Sequence, residues 1–178
     1  VGTKVVYHIE ASTDGNTECS PEVSYTVGEV PIDYTGLALN ELNGNDKFIE
    51  IYNKGKEDIH IKGISIQKDG KDVWTAPSAI LKSGEFVLLY STDVQADHAE
   101  HPEGYFFGSG LSAKKAVKVE LFDPKGGSLD CFNLVNFVKK ASASYSRVPD
   151  GTGAWYFTSA TPAAKNANET ADKVEGLE

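Results

Sequence analysis

The chain has 178 residues, 40% of them hydrophobic and 24% charged, which bounds it to one large or two small domains of ordinary globular composition. No apolar run approaches the roughly 20 residues of a helical membrane span, and no signal peptide is visible. The net charge of −9 sits mainly at the ends: residues 1–36 carry one lysine against six acids, residues 169–178 one lysine against four, and residues 37–168 fifteen bases against sixteen acids. That balance argues against nucleic acid as a partner, more weakly over the nearly neutral centre.

Read in chain order, strand and turn signals alternate almost throughout. Lys4–Ala11 and Glu22–Val27 are β-rich and flank the turn signal Ser12–Thr17, which predicts one hairpin over residues 1–30. Residues 31–36 read as a linker. Leu37–Leu42 is the next strand, ending at Asn43-Gly44-Asn45-Asp46. Phe48–Asn53 and Ile59–Ile61 follow, each closed by a Lys/Gly turn. Ile64–Gln67 and Asp72–Trp74 flank Asp69-Gly70, a strong hairpin signal because both residues tolerate positive φ. Phe86–Tyr90 is a continuous apolar run, expected as a buried strand. Thr92–Gly104 is a polar loop with a short helical turn. Val117–Phe122 alternates cleanly and turns at Asp123–Gly127 into Leu129–Leu134. Many short strands at this spacing predict an all-β sandwich.

The last structured stretch, Ser144–Trp155, reads as the closing corner. Pro149 presets φ for a turn, Gly151 and Gly153 are expected to supply positive φ, and Trp155 returns the chain to the apolar interior. Residues 169–178 read as an acidic flexible tail. The absence of methionine makes Val1 the expected start of a matured or excised chain. Cys19 and Cys131 lie far apart, and independent thiols are favoured over a bridge.

An ordered set of motifs carries a family resemblance. It comprises Leu39–Leu42, Phe48–Asn53, Ile59–Gly63, Leu81–Leu89, Phe107–Ser112, Val119–Asp123, Gly127–Asp130, Arg147–Trp155 and the close from Thr161-Pro162 to Asn166. Over residues 37–168 this set resembles a lamin-tail domain, the module found at intermediate-filament tails. Two positions depart from the family pattern: Ile64 stands where a Trp is usual, and Ala163 where a Gly is usual. The resemblance implies an immunoglobulin-like β-sandwich that contacts other proteins. It also implies, with no coiled-coil rod ahead of the domain, a bacterial secreted or surface protein. The hairpin of residues 1–30 resembles the last two strands of a bacterial immunoglobulin-like or fibronectin type III-like repeat.

Few residues suggest chemistry. Asp97, His98 and His101 lie in one loop with Glu100 and are the only candidate metal ligands; a solvated polar loop is the simpler reading. Glu41 and Glu50 could be paired carboxylates for acid–base work, but no histidine or nucleophile motif accompanies them. Bonding to backbone or to Arg147 fits them better. Arg147, Asp150 and Trp155 are expected to build the structural corner, with Arg147 held by a carboxylate or carbonyls. Lys139 and Lys140, with Lys114, Lys115 and Lys118, form short basic clusters that could contact a ligand. Gly108-Ser109-Gly110 lacks the Gly-Lys-Ser/Thr of a phosphate loop.

These readings converge on no catalytic residues and no cofactor. The expected function is that of a non-catalytic binding or spacer module of a multidomain bacterial protein. Its expected place is extracellular or at the cell surface, in the outer membrane or periplasm, with a protein or cell-envelope component as partner. An accessory module docking DNA or substrate for an enzyme on the same parent chain is the alternative.

Overall fold

The computed structural model of the protein describes residues 2–28, 31–137, 144–166 and 172–178. The chain divides into two units, Val1–Ile32 and Asp33–Glu178.

The first unit is a ribbon of four strands: β1 (Lys4–Tyr7), β2 (Glu10–Thr13), β3 (Asn16–Cys19) and β4 (Val23–Thr26). β1 pairs with β4, and β2 with β3. The hairpin is longer than the sequence reading had it, because pairing continues through the supposed turn. Asp14 (φ 47°) and Gly15 (φ 85°) alone make the reversal, the two-residue loop that an Asp-Gly pair favours. Alternation places Val5, Tyr7, Val23 and Tyr25 on one face, with the Tyr7 and Tyr25 rings edge to face at 6.4 Å.

The second unit is an all-β sandwich with immunoglobulin-like strand packing. One sheet has six strands in the order β12-β11-β6-β5-β15-β16. These are β5 (Leu37–Asn43), β6 (Phe48–Asn53), β11 (Phe86–Ser91), β12 (Phe106–Phe107), β15 (Ser144–Val148) and β16 (Ala154–Thr158). The other has four, in the order β14-β13-β8-β9. These are β8 (Ser65–Lys68), β9 (Lys71–Thr75), β13 (Val117–Phe122) and β14 (Ser128–Leu134). A short pair, β7 (Ile59–His60) with β10 (Ile80–Leu81), flanks them. A 3₁₀ helix at Thr92–His98 fills the expected polar loop. Asp69 and Gly70 both take positive φ, as the β8–β9 hairpin requires.

Alternation places Leu39, Leu42, Ile49, Ile51 and Tyr145 of the large sheet against Ile66, Val119, Leu121 and Phe132 of the small one in a single apolar core. Ile64, in the place of the family's usual Trp, is itself buried there.

β5 is buried along its whole length. It also carries a β-bulge. Leu39 pairs with Ile51 and Glu41 with Glu50, so Asn40 is the extra residue. Strict alternation from Leu37 and Leu39 would point Glu41 into the core. The inserted residue shifts the phase, keeps Leu39 and Leu42 inside, and turns Glu41 onto the outer face, beside Glu50, which the regular alternation of β6 already places there. The signal lies in the sequence Leu37-Ala38-Leu39-Asn40-Glu41-Leu42, where the apolar spacing changes from two to three.

The C-terminal residues depart from the flexible tail expected of them. Residues 172–178 are hydrogen-bonded to both sheets, and Val174 is only 4% exposed. One apolar side chain among acidic neighbours is enough to anchor a segment whose main chain can complete two ladders.

Candidate functional site

The polar residues cluster on the outer face of β5, β6, β15 and β16. Asn40, Glu41, Asn43, Glu50, Ser144, Ser146 and Thr158 are all buried there. Over Glu41 and Glu50 lies the closing turn Thr161–Ala164, bonded from the Ala164 amide to the Thr161 carbonyl at 3.0 Å. Pro162 holds its own φ negative and Ala163 takes φ 57°, the pattern of a type II turn, whose third residue favours Gly. That requirement explains why the family's usual residue there is Gly.

Each carboxylate grips this turn. Glu41 Oε2 accepts from Thr161 Oγ1 at 2.8 Å, and Oε1 from the Thr161 amide at 3.1 Å. Glu50 Oε2 accepts from the Ala163 amide at 2.6 Å, and Oε1 from Asn40 Nδ2 at 3.0 Å. Asp150 Oδ1 accepts from Asn40 Nδ2 (3.1 Å) and from the Asn166 amide (3.0 Å). Asn166 Nδ2 donates to the carbonyls of Asn40 (3.1 Å) and Arg147 (2.9 Å), and Asn40 Oδ1 accepts from the Gly151 amide at 2.8 Å. The bulge residue is thus the hub of the network.

Burial raises both glutamates, because a low-dielectric site penalises the charged form. Glu50 is pushed up to about 8: the hydrogen bonds from Asn40 and Ala163 oppose the shift, and the charges of Glu41 and Asp150 add to it. Glu50 is therefore a neutral carboxylic acid near pH 7. A raised carboxyl is what a general acid needs, but among the described residues no histidine joins the pair, and the hydroxyls that do, those of Thr161 and Ser144, hydrogen-bond to Glu41. Every buried side-chain nitrogen and oxygen among them has a hydrogen-bond partner. The pair acts as a clamp.

Arg147 does not bond either glutamate, contrary to one sequence expectation. It reaches through the sandwich edge to Asp130, with Nη2 at 2.7 Å and 2.9 Å from the two carboxylate oxygens. Its Nε donates to the Leu39 carbonyl (2.9 Å) and its Nη1 to the Gly153 carbonyl (3.0 Å). The guanidinium also lies 4.7 Å over the Trp155 ring. β15 pairs with β5 only at Glu41 and Leu42. The Leu39 amide instead donates to Asp130 Oδ2 at 2.9 Å, so the Arg147–Asp130 pair takes both main-chain groups of Leu39. Trp155 is buried against Phe132, at 4.8 Å between rings. Gly151 takes the expected positive φ (64°), whereas Gly153 does not. Gly153 is required for space: a Cβ there would stand 1.9 Å from the Val148 carbonyl oxygen.

Sequence reasoning singles out Asn40 beside Glu41 and Glu50 but assigns no role in the site to Asp130, Thr161 or Asn166. Only Asn40 left a readable trace, in the broken alternation of β5. The others join the site through separations of tens of residues.

The loop histidines have structural employment. The His98 ring stacks on Tyr90 at 3.6 Å, and His101 Nε2 donates to the Leu88 carbonyl at 3.0 Å. Asp97 is exposed. Among the described residues no three His, Cys, Asp or Glu side chains gather as a metal would need. Lys139 and Lys140 lie outside the described residues. Lys118 is paired with Glu120 at 2.7 Å, while Lys114 and Lys115 are exposed. Both cysteines are free.

With this architecture in place, comparison with known families is decisive. The model of the lamin tail domain matches residues 32–136. The chain belongs to the lamin tail domain family. No curated protein matches it. Lamin tail domains are immunoglobulin-like domains that bind proteins. The match ends before β15 and β16, the strands that bring Arg147, Asp150 and Trp155 to the corner. No helix among the described residues is long and apolar enough to cross a membrane.

Proposed function

We propose that this lamin tail domain is a non-catalytic protein-binding or spacer module of a multidomain bacterial protein, secreted or held at the cell surface, where it contacts a protein or cell-envelope component. One observation carries the non-catalytic part. The carboxylates that could do acid–base chemistry, Glu41 and Glu50, are spent on Thr161, Ala163 and Asn40. The reading needs no cofactor. The strand ribbon of residues 1–32, directly ahead of the sandwich, suits a surface protein built of β-modules better than an intermediate filament with its helical rod.

A second reading, docking of DNA or substrate for an enzyme on the same parent chain, draws on a cleft lined by Lys47, Lys68 and Lys115. Lys47 is paired with Asp93 at 3.2 Å and Lys68 with Asp69 at 2.9 Å, which leaves little free positive charge there.

The test is retention of bacterial envelope fractions on the immobilised chain. Saturable retention, lost when the fraction is protease-treated and when the chain is unfolded, is expected. Retention that survives protease and disappears with nuclease would replace the first reading by the second. A screen against esters, glycosides, phosphodiesters and peptides is expected to show no turnover. Turnover abolished by Glu41→Gln or Glu50→Gln in a folded chain would overturn the clamp assignment.

A further inference from the structure

The C-terminal segment 172–178 joins the edges of both sheets on one side of the sandwich. Its first half pairs with β16: the Phe157 amide donates to the Asp172 carbonyl and the Val174 amide to the Trp155 carbonyl, both at 2.9 Å. Its second half pairs with β14: the Val135 and Asn136 amides donate to the Gly176 carbonyl (3.0 and 3.3 Å), and the Glu178 amide donates to the Asn133 carbonyl (3.0 Å). The antiparallel bridges are Tyr156 with Lys173 and Leu134 with Leu177. Without this segment both edges would present unpaired main-chain groups.

Few side chains hold the segment. Val174 is buried in the core and Leu177 half-buried against it, while Lys173, Glu175 and Glu178 are exposed. Gly176 makes the step between the edges at φ +80°, where a Cβ would stand 2.4 Å from the Asn136 carbonyl oxygen. Beside the segment lies a cavity of about 310 Å³ lined on the sandwich side by Leu134, Phe137, Tyr145 and Phe157 and on the segment side by Asp172, Lys173 and Glu175, with Phe137 37% exposed. Main-chain pairing with pockets for a few side chains is how sheet edges recognise extended peptides.

We propose that the cleft between β14 and β16 is a peptide-recognition groove for an extended protein segment of the pattern apolar-x-Gly-apolar, and that residues 172–178 are its intramolecular occupant. Val174-Glu175-Gly176-Leu177 supplies that pattern in cis. The inference rests on the protein-binding reading and names a surface for it.

The probe is a fluorescent peptide with the sequence of residues 172–178, titrated by anisotropy against the full chain and against the full-length double variant Val174→Asp, Leu177→Asp. The folded variant is expected to bind saturably, at least tenfold tighter than the intact chain. A peptide carrying Asp at the valine position is expected not to compete. No saturable binding by the folded variant, or equal affinity for both chains, would overturn the groove. Hydrogen exchange on the intact chain decides the matter if the variant does not fold. The amides of Val135, Phe157, Val174 and Glu178 are expected to exchange at least tenfold faster than those of Ile49 and Ile51, and equal protection would show a fixed strand. Failure of the peptide leaves protein binding to other surfaces. Failure of envelope retention with a binding peptide would remove the cell-surface setting and keep the groove.

Discussion

Arg147 on β15 and Asp130 on β14 tie the two sheets together at the sandwich edge, 2.7 Å apart at their nearest atoms and with only 16% of each side chain exposed. Because both also serve the main chain of Leu39, removing one strands the other and frees a bulge amide or carbonyl. Arg147→Ala is expected to cost about 3 kcal/mol in denaturant unfolding, the usual scale for breaking a buried pair. Asp130→Asn should cost less, since the amide oxygen still accepts. A double-mutant cycle is expected to give a coupling of at least about 1 kcal/mol. Additive losses would mean that the two side chains act independently.

Glu50 links stability to pH. Its folded value of about 8 lies above the ordinary 4.5, so the folded chain holds a proton that the unfolded chain releases between these values. Its contribution is complete below the unfolded value and declines as pH rises through the folded one. At about 1.4 kcal/mol for each pH unit in that window, the loss is on the order of 5 kcal/mol. Glu50→Gln offers one oxygen to two donors, Asn40 Nδ2 and the Ala163 amide, and should be the less stable chain at low pH. The gap should narrow as pH rises towards 8. Urea titrations of both chains across that range measure it, and parallel pH profiles would refute the assignment.

Ala163 is strained where the fold prefers glycine. Its φ of 57° in an exposed turn costs an L-residue about 1 kcal/mol. Ala163→Gly is expected to raise the unfolding midpoint by several degrees, with the hydrogen bond to Glu50 kept. Gly153→Ala is expected to do the opposite and more strongly, because its Cβ would overlap the Val148 carbonyl. A calorimetric comparison in which both substitutions lower the midpoint would count against the turn argument.

Duplex DNA is not expected to bind the intact chain at physiological salt. Affinity of that kind comes from cations that neutralise phosphates, and the chain carries −9. Lys47, Lys68 and Lys118 are already paired with acids. A salt series around about 150 mM, where charges are screened within about 8 Å, is the check. Micromolar binding weakened by Lys139→Ala and Lys140→Ala would favour the DNA-docking reading.

The strands were legible in the residues because period-two alternation and turn chemistry are local. Asp69-Gly70 specifies its hairpin by itself, and Val117–Phe122 alternates whatever it pairs with. The family pattern was legible too, as an ordered set of such local pieces. Tertiary structure alone decided which polar residues meet. Glu41 faces outward only because Asn40 bulges, and Glu50 becomes neutral only because a turn more than a hundred residues away covers it. Arg147 finds Asp130 rather than a glutamate because the bulge points Glu41, and the alternation of β6 points Glu50, to the opposite face of the sheet. The acidic C-terminal residues read as a loose tail because their composition is polar. They are ordered because Val174 drops into the core and two sheet edges offer main-chain partners, and edges exist only once the sheets have formed.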